Sequence, residues 1–189
     1  MDDDEWGSYF AKVDDQLLSV FVNLSILERL PIDDHPELFL LTIMLRQPDA
    51  NRMTTNSEAE TLWKIEREVD KALSPLGAIN VGRATGRGAR QIFYHARASV
   101  DLEKAMRTVM RRHAPYQSSV LQKSDPEWST YRTFLYPTPE QMRFILESKT
   151  IEALRQAGDE HSVPRIVDFH VEFHSESDRA TFETEIIAM

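Results

Sequence analysis

The segment Leu38–Leu45 constrains the fold more than any other part of the chain, because all of its residues except Thr42 are apolar. A strand that presents one face to water alternates apolar and polar side chains, whereas this segment would hide both faces of an extended chain. The pattern therefore predicts the central strand of a β-sheet.

A predicted hairpin precedes this strand, and helices and strands follow it. Trp6–Val13 and Gln16–Leu24 have strand patterns, and the pair Asp14-Asp15 between them tolerates tight-turn geometry. From Leu38 onward the predicted order is strand, helix, strand, strand, helix, strand. The later members are a helix that begins with a capping box of Ser57 and Glu60, strands at Ala78–Arg83 and Arg90–Ala96, a helix capped by Ser99, and a strand at Tyr116–Lys123.

This order is that of the split βαβ, or ferredoxin-like, arrangement, in which the first strand is internal to the sheet. That position agrees with the two-sided apolarity of Leu38–Leu45. The sequence thus predicts an α+β protein. Residues 1–136 are expected to form a ferredoxin-like βαββαβ sandwich with an added N-terminal hairpin, and residues 137–189 a second, small α+β unit.

The C-terminal third contains one predicted strand for which the sequence does not identify a neighbouring strand. That strand, Arg165–His174, needs a neighbour because exposed strand edges are hazardous. It could extend the first sheet, pair with a second subunit in a homodimer, or begin a domain that the sequence truncates. The elements around it are a strand at Trp128–Tyr136, a helix that begins with a capping box of Thr138 and Gln141 and ends at Gly158, and a last helix, capped by Ser175, that carries Phe182, Ile186 and Met189.

Composition restricts the class of protein. The chain has no cysteine, which excludes disulfide bonds and thiolate chemistry, and no run approaches the ~20 apolar residues that cross a bilayer. The acidic N-terminus lacks the basic start and apolar core of a secretion signal. We therefore expect a cytoplasmic protein with no membrane partner.

Charge is distributed unevenly along the chain. Residues 1–70 carry −10, residues 71–124 carry +8 and residues 125–189 carry −7, for a net charge of −9. The net charge argues against general nucleic-acid binding, because phosphates repel an acidic surface. The basic middle segment is the most useful electrostatic feature of the sequence.

The basic residues of this segment fall on a predicted hairpin and a predicted helix. They could receive an anionic partner, either an acidic protein segment or RNA, or they could pair with the acidic ends of the same chain. The near balance of the charges favours pairing within the chain. The set is Arg83, Arg87, Arg90, Arg97, Lys104, Arg107, Arg111 and Arg112.

The predicted strand Arg165–His174 places four possible metal ligands on one face, namely Asp168, His170, Glu172 and His174. Imidazole nitrogens and carboxylate oxygens are ligands for divalent metals, so a metal-dependent hydrolase is one hypothesis. The other interpretation is a strand that shows its polar side to water or to a helix. We expect no cofactor.

Two further motifs have structural interpretations. The glycines of Gly82–Gly88 resemble a phosphate-binding loop, but the pattern after them predicts a strand, whereas such loops lead into a helix. A hairpin turn is the better interpretation. The aromatic pairs Trp6 with Tyr9 and Trp128 with Tyr131 are expected in the core or in a domain seam, with a ligand pocket as the alternative.

Three stretches together resemble a known bacterial family, catalogued as domain of unknown function 695, over roughly residues 4–136. The stretch from about Thr138 resembles the start of a domain related to regulator of ribonuclease E activity B. These resemblances imply two small α+β domains in a bacterial cytoplasmic protein, with no established reaction and no catalytic residues to transfer. The stretches are Asp4–Phe10, Asp125–Tyr131 with Phe134–Pro137, and Ala153-Leu154 with Ala157–Asp159.

The sequence contains no motif that pairs a nucleophile with a base. It therefore favours a non-enzymatic interaction or regulatory protein that acts through its arginine-rich hairpin and helix. The metal-dependent hydrolase, a regulator that binds a ribonuclease or RNA, and a self-associating structural protein remain as alternatives.

Overall fold

The computed structural model describes residues 4–160, 163 and 170–187. The chain divides into two compact units, Met1–Thr150 and Ile151–Met189. Within the described residues, no helix is long and apolar enough to cross a membrane.

The first unit is built on one antiparallel sheet of six strands, in the order β1-β2-β4-β5-β3-β6. The chain is α+β, as predicted. Over residues 4–160, 163 and 170–187, the α-helices α1, α2 and α3 begin in this unit and α4 lies in the second. The elements are β1 Trp6–Val13, β2 Gln16–Asn23, β3 Glu37–Met44, α1 Asn56–Leu73, β4 Ile79–Gly86, β5 Ala89–Ala96, α2 Leu102–Met110, β6 Ser118–Ser124, α3 Pro139–Gln156 and α4 Glu176–Ile187.

The predicted central strand is β3, which lies between β5 and β6. Phe39, Leu41 and Ile43 are fully buried in a core with α1 and α2, while Leu38 is buried in a second core on the opposite face of the sheet. The prediction of a two-sided, internal strand is therefore confirmed. A strand that alternates apolar and polar residues would have left one of these faces exposed to water.

The two tight hairpin turns also agree with the sequence. Asp14 and Asp15 connect β1 to β2 with φ of 49° and 60°, and Arg87 and Gly88 connect β4 to β5 with φ of 56° and 79°. Positive φ at both central residues is the geometry that matches the twist of paired strands. Because a strand follows these glycines, Gly82–Gly88 is a hairpin and not a phosphate-binding loop.

The predicted start of α1 is wrong. The helix begins at Asn56, after Thr55 in the N-cap position, and Ser57 does not form a capping box with Glu60. The buried carboxylate of Glu58 instead accepts hydrogen bonds from two backbone amides outside the helix, Arg46 N at 2.7 Å and Gln47 N at 3.0 Å. A contact with a distant loop has replaced the local cap.

The predicted cap of α2 is also wrong, by two residues. Asp101, not Ser99, is the N-cap, and its Oδ1 accepts a hydrogen bond from Lys104 N at 3.0 Å. Aspartate and serine are about equally good N-cap residues, so residue type does not decide between Asp101 and Ser99. The position at which the helix starts decides which of them is the cap.

The predicted strand Trp128–Tyr136 is wrong, because residues 129–135 are helical, with a π-helical stretch at Tyr131–Leu135. The Asp125 carboxylate starts the helix by accepting hydrogen bonds from the amides of Ser129 and Thr130, at 2.8 and 3.0 Å. Trp128, which precedes the helix with φ of 56°, and the helical residues Tyr131 and Leu135 are then fully buried in the core on the second face of the sheet. The spacing of these anchors overrides the strand propensity of the aromatic residues.

Two helices cover one face of the sheet incompletely. The core beneath α1 and α2 takes its sheet residues from β3 and β5, and none from β1 or β2. On the hairpin, Phe10 and Leu17 are 58% and 39% exposed. The hairpin therefore extends the sheet beyond α1, and a cleft forms between the flank of α1 and this extension.

Helix α3 begins as predicted. Thr138 N donates to Gln141 Oε1 at 2.9 Å, and Gln141 N donates to Thr138 Oγ1 at 3.3 Å, which is a capping box. The helix ends at Gln156, before Gly158 with φ of 89°, which confirms the glycine stop.

The second unit contains the end of α3 and the helix α4. Ser175 Oγ accepts a hydrogen bond from Asp178 N at 3.2 Å, which confirms the predicted cap. Residues 165–169 of the predicted strand lie outside the described residues, as does Met189. His170–Phe173 belong to no helix or strand, so the strand prediction is wrong over this part. An alternation of polar and apolar residues is not enough to make a strand, which also needs hydrogen bonds to a neighbouring strand.

Candidate functional site

The basic residues singled out in the sequence divide between two places. Arg83, Arg87 and Arg90 lie on the hairpin of β4 and β5. Arg97 directly follows β5, and the others of the set lie on α2 and the turn after it. Arg90 is only 5% exposed, and its Nη1 lies 3.2 Å from Glu66 Oε2. Arg83 reaches the same oxygen at 3.3 Å. Burial raises the pKa of Glu66 and lowers that of Arg90.

Other arginines also contact acidic residues of the N-terminal segment. Arg87 Nη2 donates to Val13 O at 2.9 Å and to Asp14 Oδ2 at 2.7 Å. Arg97 lies 2.9 Å from Asp34. These contacts are the pairing within the chain that was one of the two interpretations of the basic segment.

The exposed charges of α2 form a different surface. A groove of about 700 Å³ has an apolar floor and a basic rim, and the apolar atoms come from both helices. Arg107 pairs with Glu103 at 2.7 Å and does not line the groove. We call this surface the α2 groove; its lining is Ala72, Leu76, Asp101, Lys104, Ala105, Thr108, Val109, Arg111 and Arg112.

The cations of the α2 groove differ in how they are neutralised. Arg112 lies 3.2 Å from Glu68 at the surface, so its positive charge is partly neutralised. Arg111 Nη2 donates to Thr108 Oγ1 at 3.0 Å, a neutral partner. In the described part of the chain, Lys104 and Arg111 have no carboxylate within salt-bridge distance. The groove thus has excess positive charge beside apolar surface.

A second concave site, which we call the aromatic cleft, lies between α1 and the hairpin extension of the sheet. It has a volume of about 260 Å³, and sequence reasoning missed it because its residues come from four elements. The signal that could have indicated it is Trp63, an aromatic residue on the polar side of an amphipathic helix. The lining residues are Trp6, Phe21, Trp63, Glu66, Arg67, Asp70, Asn80, Gly82 and Arg83.

The walls of the aromatic cleft are ordered by ring contacts. Trp6 stacks on Phe21 with ring centroids 4.8 Å apart and an interplanar angle of 13°. The Arg83 guanidinium lies 4.5 Å from the centre of the Phe21 ring. Trp63, on α1, is 47% exposed. Trp6 therefore lies in a cleft, while its predicted companions Tyr9, Trp128 and Tyr131 are core residues.

Asp125 and Trp128, from one of the stretches that carry the family resemblance, lie in a buried cluster with His95. Trp128 stacks on His95 with ring centroids 3.7 Å apart, and both side chains are completely buried. His95 Nδ1 donates to His35 O at 3.2 Å, while its Nε2 lies 3.9 Å from Asp125 Oδ2, beyond hydrogen-bond distance. Burial lowers the pKa of His95 to about 4, so this histidine is neutral. The cluster has no access to solvent and serves the fold.

The predicted metal ligands are not brought together by the described residues. His170, Glu172 and His174 lie in irregular chain, and Asp168 is outside the described residues. Among the residues that the structure describes, no group of three histidine or acidic side chains could hold a metal ion.

Comparison with known proteins gives one match. Residues 4–136 match a family model described as "Family of unknown function (DUF695)". No curated protein and no solved structure matches the chain. The matched residues end before Thr138, so the resemblance of the following stretch to a ribonuclease E regulator stays a prediction. Because the family model covers well over half of the 189 residues, the chain belongs to the family of unknown function DUF695.

Proposed function

We propose that this protein is a non-enzymatic interaction module that captures an acidic protein segment in the α2 groove. The observation that carries the proposal is the pairing of unneutralised cations, Lys104 and Arg111, with an apolar floor. Such a surface complements a segment that presents carboxylates beside apolar anchors.

The architecture supports a docking role for this face. The strands β4-β5-β3-β6 are antiparallel, and α1 and α2 pack on one side of them. This arrangement supports the ferredoxin-like interpretation of the central part of the chain. The groove lies on the outer surface of the helix pair, where a partner helix or extended segment can approach without rearranging the sheet.

Apolar surface argues for protein rather than RNA as the partner. RNA recognition needs basic residues interleaved with aromatic side chains that stack on bases. The α2 groove offers leucine, valine and alanine instead, and no aromatic residue lines it.

Selection of peptides from a random displayed library on the immobilised protein tests the proposal. We expect enriched peptides to combine aspartate or glutamate with leucine, isoleucine or phenylalanine. Their affinity, measured by fluorescence anisotropy, should fall more than about tenfold in the double variant Lys104→Glu/Arg111→Glu, because two favourable charge contacts become repulsive.

A matched control reverses two charges elsewhere. Arg29 and Arg143 are exposed and do not line the α2 groove, so Arg29→Glu/Arg143→Glu changes the net charge equally. This control should retain wild-type affinity. Equal loss in both variants, or selection of peptides without acidic residues, would contradict the proposal. Tighter binding of single-stranded RNA than of the selected peptides would favour the RNA alternative and overturn it.

A further inference from the structure

We infer that the aromatic cleft binds a small planar aromatic anion, whose ring lies against Trp6 and Trp63 and whose negative group meets Arg67. This inference concerns a small-molecule site on the flank of α1 opposite to α2. It stands independently of the proposed capture of a protein segment. It rests on the shape of the cleft, on its exposed rings and on the balance of its charges.

The exposed rings favour a flat apolar ligand. Trp63 is 47% exposed and lines the cleft, where the half-buried Trp6 ring stacks on Phe21 with ring centroids 4.8 Å apart. Aromatic rings gain most from stacked or edge-to-face partners. A planar ring placed here would remove apolar surface from water on both of its faces.

The carboxylates of the cleft are already occupied. Glu66 accepts hydrogen bonds from Arg83 and Arg90. Asp70 Oδ1 accepts from Tyr94 Oη at 2.6 Å and from Asn80 Nδ2 at 2.9 Å. These contacts hold both acidic groups against the protein and reduce their attraction for a cation.

Arg67 supplies the charge that remains for a ligand. Its side chain is exposed on α1, one helical turn from Trp63, and lines the cleft. Within the described residues it has no carboxylate at salt-bridge distance. A guanidinium binds carboxylate and phosphate groups in a planar, two-pronged geometry. The cleft therefore combines stacking surface with one free anion receptor.

The volume limits the size of the ligand. The cleft measures about 260 Å³, near the lower end of ordinary ligand pockets and above the roughly 150 Å³ that holds benzene. One ring with one charged substituent fits this space, whereas a dinucleotide does not. The floor is closely packed, because a Cβ at Gly82 would lie 2.6 Å from Phe21 O, and Asn80 Oδ1 accepts a hydrogen bond from Gly82 N at 3.0 Å.

Three probes of equal shape and different charge test the inference: benzoate, benzamide and benzamidine. The tryptophan indole N–H signals in a nitrogen-15 NMR spectrum give the readout, since the chain has three tryptophans. Benzoate should shift the signals of Trp6 and Trp63 in a saturable way and leave that of the buried Trp128 unchanged. Benzamide should bind more weakly, and benzamidine weakest.

Variants of exposed residues on α1 locate the contacts. Arg67→Gln should weaken benzoate binding about tenfold and remove the preference for benzoate over benzamide. Lys71→Gln, on the same helix but outside the lining of the cleft, should leave both unchanged. Trp63→Leu should weaken all three probes about fivefold through lost stacking. Thermal unfolding of each variant verifies that it is folded.

Several results would overturn the inference. They are the absence of saturable shifts with millimolar benzoate, equal or tighter binding of benzamidine, and wild-type benzoate affinity in Arg67→Gln. Failure of the peptide capture by the α2 groove would not affect these outcomes, because none of the probes or variants involves α2.

Discussion

Lowering the pH should destabilise the fold through one buried histidine. His95 has no exposed surface, and burial lowers its pKa from 6.5 to about 4. The unfolded chain binds a proton at this side chain below about pH 6.5, whereas the folded chain does not until about pH 4. The stability is therefore fully present above pH 6.5 and is lost as the pH falls toward 4.

The size of this effect follows from the pKa difference. Each unit of difference corresponds to about 1.4 kcal/mol, so His95 should reduce the free energy of unfolding by about 2 kcal/mol between pH 8 and pH 5. Asp125, the nearest carboxylate, does not titrate in this range. Burial raises its pKa, but hydrogen bonds from Thr130 and Ser129 outweigh this and lower it below 3.8.

Urea unfolding followed by tryptophan fluorescence at several pH values between 8 and 5 measures the effect. The variant His95→Phe keeps the ring that stacks on Trp128 and loses the titrating group. Its stability at pH 8 should fall, because His35 O loses a hydrogen bond, but its pH slope should be flatter by about 2 kcal/mol over the range. His174→Gln, at an exposed histidine, should keep the wild-type slope. Equal slopes in His95→Phe and the wild type would refute the reasoning.

Three further predictions concern buried groups, each measured by urea unfolding at pH 7.5. Arg90→Met should cost about 3 kcal/mol because it leaves the buried Glu66 carboxylate with less compensation, and adding Glu66→Met should recover most of this loss. Glu58→Ala should cost about 2 kcal/mol because two backbone amides lose their acceptor, whereas Glu60→Ala, at an exposed position, should change stability by less than about 0.5 kcal/mol. Leu41→Ala should cost about 3 kcal/mol, as expected for a fully buried leucine; a loss under about 1 kcal/mol would contradict the central position of β3.

Local chemistry predicted much of the fold because several elements are specified by their own residues. The two-sided apolarity of Leu38–Leu45, the turn at Asp14-Asp15 and the capping box of Thr138 and Gln141 each depend on neighbours in sequence. Such signals need no tertiary information to be read. The antiparallel pairing of β3 on both sides then follows from the need to satisfy its backbone amides and carbonyls.

The errors occur where a distant contact decides the local structure. No sequence pattern singled out Glu58, yet its carboxylate accepts hydrogen bonds from two backbone amides more than ten residues earlier in the chain. Trp128 and Tyr131 have strand propensity, but both are buried in the core on the second face of the sheet, Trp128 just before a helix and Tyr131 within it. Sequence alone does not show which face of the sheet lacks a cover.

The basic segment illustrates why charge counts do not identify a site. Its positive charge of +8 was real, but burial divides the arginines into different roles. Arg90 is a buried partner of Glu66, and Arg87 donates a hydrogen bond from one hairpin to the other. Arg111 faces solvent beside apolar surface. A residue can bind a partner only with the charge that the fold leaves uncompensated, and that remainder becomes visible only in three dimensions.

Both candidate sites arise because the layer of helices is narrower than the sheet that it covers. Two helices cover a sheet that the hairpin β1–β2 widens to six strands, so α1 has a sheet neighbour on one flank and a helix neighbour on the other. The first flank makes the aromatic cleft, because Trp6 and Phe21 extend past the helix edge. The second makes the α2 groove, because α2 is short, about 2.5 turns, and lines the groove together with Ala72 of α1 and Leu76 just after it. Without the added hairpin, a four-stranded sheet would have the groove but not the cleft, so a ligand of the cleft should depend on β1 and β2 while a partner of the groove should not.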